Sequence, residues 1–508
     1  METSQVVVVG SGPSGLMLAA ELARAGVGVV VLERNPGRTG QTRAMHMQPR
    51  TAEILDLRGL LGGLQQNVIA HLSEGYFAGV PVALDYHIAS TRYPALVRVP
   101  QPRVEEHLEE HLAVLGVQVR YQHALVGLTQ DADGVTAEVH GPDGDYSLRA
   151  DYLVGCDGAG SVVRKLSGVR FPGTDASSHG VAGDVILSRV PAVMNSRDHS
   201  AVEIFGRGKQ TTRFVILIPT GKPQHFRAGY VDPDLTRRPA DPAAPVTKEE
   251  MEEALAERFG DDIEVAEVLW ASRFTDACRQ VENYRTGRVL LAGDAAHIHL
   301  PASSQGMGLG IQDAMNLGWK LAAHVNGHLP AGILDTYHSE RHPVTAKILA
   351  STQVQGHLTM AGTNPGTDSV VQLLSDLFTL PEVNRRIAGE LSGLDIRYPM
   401  SDQDGAFHEL LGLRMPDIEL SIAGDGDRRR WVSEFLHAGH GVLLSTDSAF
   451  PAIASPWADR VDIVEVSKLP VPGEDVTAVL LRPDGHVCWT APGEDLAQAL
   501  TNWFGAPA

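Results

Sequence analysis

The sequence predicts an α/β protein: a Rossmann-like nucleotide-binding domain, a sheet-rich insertion and a further C-terminal domain. Three observations carry that prediction. A β-branched run, Gln5 to Val9, passes directly into Gly10-Ser11-Gly12-Pro13-Ser14-Gly15 and then into a helix pattern. Two later apolar runs also end in small acidic turns, Tyr152 to Val154 at Gly155-Cys156-Asp157-Gly158 and Val289 to Ala292 at Gly293-Asp294. From about Ala182 to Arg273 the pattern changes to the shorter, turn-separated runs of an antiparallel sheet.

The unalternating run Gln5 to Val9 reads as a strand buried on both faces. The helix after it, Leu16 to Arg24, sets Leu16, Ala19, Ala20 and Ala23 on one side; Gly26 closes it, and Val27 to Leu32 form a second strand ending at Glu33. Strand, glycines, helix, strand and acid in this register form a dinucleotide fingerprint. Gly10, Gly12 and Gly15 allow a tight turn and close approach of a pyrophosphate, Pro13 and Ser14 open the helix whose free N–H groups face it, and Glu33, with Arg34 beside it, reaches the ribose.

Asp157 and Asp294 end two more buried strands and are candidate polar anchors, although either residue type also forms turns. After Asp294 a loop bearing Pro301 leads through Gln305-Gly306-Met307-Gly308 into a helix, whose N–H groups and positive dipole end suit an electron-rich ligand. The fingerprint alone does not separate NAD from FAD, but three strand-end turns that could converge on one extended cofactor suit FAD. Its adenosine, pyrophosphate, ribityl chain and isoalloxazine ring together need all three.

Within the insertion, Phe214 to Pro219 and Phe226 to Tyr230 read as antiparallel strands and Thr247 to Arg258 as a helix with acids in its first turns. Leu334 to Arg341 reads as helical. A composition shift over Ser392 to Asp404 marks a boundary, beyond which strands are expected at Gly441 to Leu444, Val461 to Val466 and Val476 to Leu481, with a turn at Pro483-Asp484-Gly485.

Composition narrows the function classes. Lys plus Arg number 42 against 62 Asp plus Glu, a net charge of −20, which argues against nucleic acid as a partner. Cys156, Cys278 and Cys488 form no CxxC pair, which fits a reducing compartment. METSQ has no basic n-region, and no apolar run reaches the roughly 18 residues a membrane span requires, so cytoplasmic localisation is expected. His297 and His299 lack a third ligand at fitting spacing, and no metal is expected.

The motifs GSGPSG with Glu33, VGCDGAGSVVRK and LLAGDAAHIHLPASSQGMGLGIQDAMNLGWKL resemble those of FAD-dependent aromatic hydroxylases of the p-hydroxybenzoate hydroxylase type. The phrases VVVLERNPGRTGQTRAMHMQPRT, VPQPRVEEHL, TYHSERHPV and VLLRPDGHVCWTAPG are similar to bacterial hydroxylases that tailor aromatic polyketides, such as the angucycline and anthracycline enzymes. The resemblance spans essentially the whole chain. It implies an FAD-binding domain over 1–74, 100–180 and 274–395, a middle substrate domain over 75–99 and 181–273, and a thioredoxin-like C-terminal domain over 396–508. That last domain has no dithiol pair, so packing or support of a homodimer is the expected role. The resemblance also implies that Arg43 lies near the cofactor and that Gln101 contacts it.

Activity is expected to follow from the cofactor. NADPH or NADH acts as transient reductant, with no second dinucleotide fold, and O2 yields a flavin C4a-hydroperoxide that hydroxylates an aromatic polyketide. The protein binds, orients and excludes water, which explains why no Ser-His-Asp or paired-carboxylate constellation is present. Pro301, Gln305 and Gly306 are expected to position the flavin loop, and His46, Met47, Arg213 and Tyr230 are candidates for the substrate cavity. Baeyer-Villiger oxygen insertion into a ketone and non-catalytic FAD binding stay open as alternatives.

Overall fold

The computed structural model describes residues 2–78, 80–88, 90–195, 213–241, 244–360, 365–400, 408–424, 428–472, 476–493 and 495–508. Part of the expected boundary over 392–404 and residues 196–212 of the middle domain lie outside the described residues.

In chain order, β1 (Glu2–Val9) runs into α1 (Pro13–Arg24) and β2 (Val29–Glu33), followed by β3 (His46–Met47), α2 (Pro49–Asp56), β4 (Ala70–Leu72), β5 (Leu96–Arg98), α3 (Gln101–Val114), β6 (Val119–Tyr121), β7 (Gly144–Gly155) and α4 (Val162–Leu166). The insertion carries β8 (His179–Arg189), β9 (Phe214–Pro219), β10 (His225–Asp232), α5 (Lys248–Phe259) and β11 (Glu264–Thr275). The chain returns through β12 (Val289–Leu291), α6 (Gly306–Val325), α7 (Asp335–Met360), α8 (Pro365–Phe378) and α9 (Pro381–Ser392). The C-terminal domain follows with β13 (Gly441–Ser445), β14 (Val461–Glu465), β15 (Ala478–Leu481), β16 (Val487–Ala491) and α10 (Leu496–Phe504).

Strands β12, β7, β1, β2 and β6 lie side by side in that order, every neighbouring pair parallel. All their carboxyl ends therefore open on one edge, where doubly wound folds bind ligands. Val6 to Val9 are buried, as a run covered by helices on both faces requires. Helices α1 and α6 cross closely because small residues meet there. A Cβ on Gly310 would lie 2.1 Å from Ser14 Oγ, and one on Gly318 would lie 2.5 Å from Glu21 Cβ. The crossing brings both helix starts to the same edge of the sheet.

The insertion is an antiparallel sheet in the order β9-β10-β8-β11. Phe226, Ala228 and Tyr230 of β10 pack with Met251, Ala254 and Leu255 of α5, which covers one face. The segment 75–99 pairs through β5 with β3 and β4, its Phe77, Leu84 and Tyr86 pack against Leu358, Phe378 and Leu391 of α7, α8 and α9, and its Tyr76 packs with Ile218 of the middle sheet. The C-terminal sheet runs β14-β13-β15-β16, with only β13 and β14 parallel, and α10 follows. That order is thioredoxin-like.

Candidate functional site

At the carboxyl edge the turns interlock through the backbone. Gly10 N–H donates to Leu32 O at 2.8 Å, Cys156 N–H to Val9 O at 2.8 Å and Ala292 N–H to Gly155 O at 3.0 Å. Gly10 adopts a φ of +103°, and a Cβ there would sit 2.4 Å from Cys156 O; one on Gly15 would sit 2.0 Å from Gly10 O. These two glycines are demanded by the protein itself. Gly12 is different, because a Cβ there would meet nothing within 4 Å, and it starts α1 with no side-chain cap. An open space beside an uncapped helix start is the room a pyrophosphate needs.

The acidic residues divide into bound and free. Glu33 accepts from Ser11 N–H and Oγ, both at 3.1 Å, and from Asn35 N–H at 2.9 Å. Asp157 accepts from Ser161 Oγ at 2.5 Å and from the N–H groups of Val162 and Val163 at 2.6 and 3.2 Å, so it serves as a cap for α4. Asp294 is exposed, and its carboxylate takes no hydrogen bond among the described residues. Arg34 and Arg43 are exposed, Arg43 donating to Gln41 at 3.1 Å. Gln101 receives Ala44 N–H at 3.0 Å and donates to Glu105 at 2.7 Å, which ties the loop before His46 to α3.

The loop between β12 and α6 is held in an uncommon shape. Ser303 and Ser304 have φ values of +49° and +54°, a conformation costing side-chain-bearing residues on the order of 1–3 kcal/mol each. Its ties explain how it persists: Gln48 donates to Ser303 O at 2.7 Å, Ser303 Oγ to Gln355 at 2.5 Å, and Ser304 Oγ lies 3.4 Å from His46 Nδ1. Pro301 is exposed, and Gly306, Met307 and Gly308 form the first turn of α6. Gln305 precedes that turn, is buried, and leaves both Nε2 and Oε1 without a partner among the described residues. Such a buried amide costs about 1–3 kcal/mol unless a ligand supplies both a donor and an acceptor. The isoalloxazine edge of FAD alternates donors and acceptors and fits it, just as Gly12 fits the pyrophosphate.

Beside this loop stands a cationic cluster that sequence reading missed. Arg98 is 5% exposed and donates Nε to His46 Nε2 at 3.2 Å, while its Nη2 has no partner among the described residues. No carboxylate pairs with it among the described residues, and burial lowers its pKa. Because Arg98 can only donate, the imidazole accepts at Nε2 and carries its proton on Nδ1, toward Ser304. Burial, with Arg98 and Arg227 nearby, pulls His46 down to about 3 and keeps it neutral. On the middle sheet Arg227 donates Nε to Asp184 at 2.8 Å and lies 4.8 Å over the Trp270 ring, and its Nη2 is also unpartnered among the described residues.

Of the expected substrate residues, only His46 joins this cluster. Met47 is fully buried in the core. Tyr230 donates to Glu250 of α5 at 2.5 Å, and Arg213 bonds Asp232 at 2.9 Å and pairs with Glu253 and Glu257 of α5 at 3.2 Å. Strand alternation is the reason: Tyr230 shares the parity of Phe226 and Ala228 beneath α5, whereas Arg227 is out of phase and stands on the opposite face. A guanidinium between the apolar Phe226 and Ala228 was the available signal. His297 bonds Asp313 at 2.7 Å, and no group of three metal-ligating side chains occurs among the described residues.

Comparison with known proteins extends this geometry. The FAD binding domain family matches residues 3–352, and the aromatic-ring hydroxylase C-terminal family matches residues 408–507. A Streptomyces rimosus enzyme named 12-dehydrotetracycline 5-monooxygenase/anhydrotetracycline 6-monooxygenase is 44% identical over 526 residues, spanning 99% of each chain. The solved structure of OxyS anhydrotetracycline hydroxylase from Streptomyces rimosus matches with a TM-score of 0.89 at 43% identity, covering 100% of both chains. That of CabE, an aromatic hydroxylase from angucycline biosynthesis, matches with a TM-score of 0.87 at 40% identity, covering 99% of this chain and 100% of its own. No helix among the described residues is long and apolar enough to cross a membrane.

Proposed function

The chain belongs to the FAD-dependent aromatic-ring monooxygenases, and from that premise we propose that it hydroxylates a polycyclic aromatic polyketide of the tetracycline or angucycline type, consuming NADPH or NADH and O2. The observation that carries the substrate reading is the pair of buried guanidinium groups, Arg98 and Arg227, both acting on His46 and each with an Nη2 that has no partner among the described residues. Two unpaired buried donors suit a molecule dense in carbonyl and phenolate oxygens, and the names of the relatives point to that class.

FAD, once reduced, supplies the activated oxygen; the chain supplies position and environment. Gly12 and the start of α1 would hold the pyrophosphate, Asp294 the ribityl chain, and Gln305 with the first turn of α6 the ring edge. The α6 dipole would favour negative charge on a ring edge held at Gly306–Gly308. Arg98 and Arg227 orient the substrate's oxygens, and neutral His46 keeps its Nδ1 proton toward Ser304 rather than adding a further charge beside the two guanidinium groups.

The test is turnover of FAD-loaded protein with NADPH or NADH and a panel of anhydrotetracyclines and benzanthraquinones, with product connectivity read by NMR. A new phenol or tertiary alcohol supports hydroxylation. A ring-expanded lactone moves the assignment to Baeyer-Villiger chemistry, and the absence of any substrate-dependent NAD(P)H oxidation across the panel contradicts the proposal.

A further inference from the structure

The functional reading leaves one large buried structure unused. Arg482, in the turn after β15 of the C-terminal domain, is fully buried and reaches α7, where its two terminal nitrogens donate to the Glu340 oxygens at 2.7 and 2.9 Å; it also pairs with Asp484. Glu340 additionally receives Lys320 Nζ at 2.8 Å and Asn316 Nδ2 at 2.6 Å from α6, and Asp484 receives Trp319 Nε1 at 3.3 Å.

The next residue on α7, Arg341, continues the chain inward. Its Nε donates to Asp313 at 2.8 Å and its Nη1 lies 3.0 Å from the Tyr398 hydroxyl. The other Asp313 oxygen takes His297 Nε2 at 2.7 Å and the backbone N–H of Gly293 at 3.1 Å. Asp313, Asn316 and Lys320 recur at helical spacing and share one face of α6. Three cations, Lys320, Arg341 and Arg482, thus meet three carboxylates, Asp313, Glu340 and Asp484, all out of water. Burial alone would raise the Asp313 carboxyl, but Arg341 and His297 hold it below its ordinary value.

We infer that Asp313 is a positioning residue for the flavin-binding turn at Gly293-Asp294, and that the C-terminal domain keeps it in place through Arg482, Glu340 and Arg341, so that retention of FAD is this domain's work. The inference rests on FAD occupying that turn. Asp313 sits on α6 two turns beyond Gly306 and grips the N–H at the end of β12, so it fixes the separation of two walls of the site. Its charge is held by Arg341, whose helix α7 is held by Arg482. Releasing either end lets the Gly293-Asp294 turn move relative to the α6 start.

The test is FAD titration of the apoprotein, followed by flavin fluorescence, with the visible spectrum of the bound flavin as a second readout and circular dichroism as a check on folding. Asp313→Asn keeps the shape and removes the charge; Arg482→Met removes the domain's cation. Each is expected to raise the FAD Kd at least tenfold and to shift the flavin bands. Arg482→Lys, which keeps charge but loses the two-pronged geometry, falls between them and wild type. Asp462→Asn, at an exposed ion pair of the same domain, leaves both readouts unchanged. A folded Asp313→Asn or Arg482→Met protein with a Kd within twofold of wild type and an unshifted spectrum overturns the inference. Should Arg482→Met not fold, Asp313→Asn and Arg482→Lys decide it by the same criteria. A wild-type chain that binds no FAD overturns the reading of the site itself, and this inference with it.

Discussion

Replacing Arg98 by methionine should make the ligand-free protein more stable while crippling substrate binding. Arg98 is 5% exposed, its side chain makes one hydrogen bond among the described residues, to a neutral imidazole, and burial lowers its pKa with no opposing carboxylate among those residues. Desolvating a cation costs several kcal/mol in a protein interior. One charged hydrogen bond returns about 1.5–3 kcal/mol of that. Methionine keeps most of the volume and removes both terms, so a net gain of about 1–3 kcal/mol is expected. Binding responds in the opposite sense, because losing a buried charged contact costs roughly 2–5 kcal/mol, or about thirtyfold to several thousandfold in Kd. Urea denaturation of the FAD-free protein and fluorescence titration with an anhydrotetracycline measure the two effects separately. A lowered denaturation midpoint, or substrate affinity within threefold of wild type, would refute the reasoning.

Four further outcomes follow from the same geometry. Gly15→Ala forces a Cβ to within 2.0 Å of Gly10 O, and the purified variant should carry no flavin; normal FAD content would remove Gly15 from the phosphate turn. His46 is held near 3 against an ordinary 6.5, so the unfolded chain takes up a proton that the folded one refuses. Stability complete above pH 6.5 therefore declines as the pH falls toward 3, by about 5 kcal/mol in all, and His46→Gln should flatten that limb of the stability profile. Gln305→Leu removes the unpartnered amide, so FAD affinity should fall about tenfold while the apoprotein melts no lower; unchanged affinity would detach Gln305 from the ring edge. Tyr230→Phe, on the face under α5, should cost about 1 kcal/mol of stability and leave KM within twofold, and a large KM effect would restore Tyr230 to the substrate cavity.

The nucleotide edge was legible because its signals are local. Glycine spacing, a proline opening a helix and an acid closing a strand sit within a few residues of one another, and the parallel pairing of β1, β2, β7 and β12 then aligns them. The cluster of Arg98, His46 and Arg227 was not legible for the opposite reason. Arg227 and Tyr230 lie in one apolar strand and differ only in parity, and the docking of α5 decides which parity is covered. Arg98 reads as an ordinary charge before a helix until the pairing of β3 with β5 buries it beside His46. The left-handed backbone at Ser303 and Ser304 has no mark in residue types that seldom adopt it. Strand β16 escaped notice because Val487 to Ala491 follows the Pro483-Asp484-Gly485 turn without alternation, both of its faces being buried. Asp157 shows the limit of a motif: its place in the turn was right, while its oxygens are committed to capping α4.

The most direct test of the site is a crystal structure of the full chain grown with FAD. The expected density places the pyrophosphate beside Gly12 at the start of α1, the ribityl chain at Asp294, and the isoalloxazine edge on the Gln305 amide with Arg98 and Arg227 facing the open side of the ring. FAD seated elsewhere, or a ring edge that leaves both Gln305 amide atoms unpartnered, would contradict the assignment.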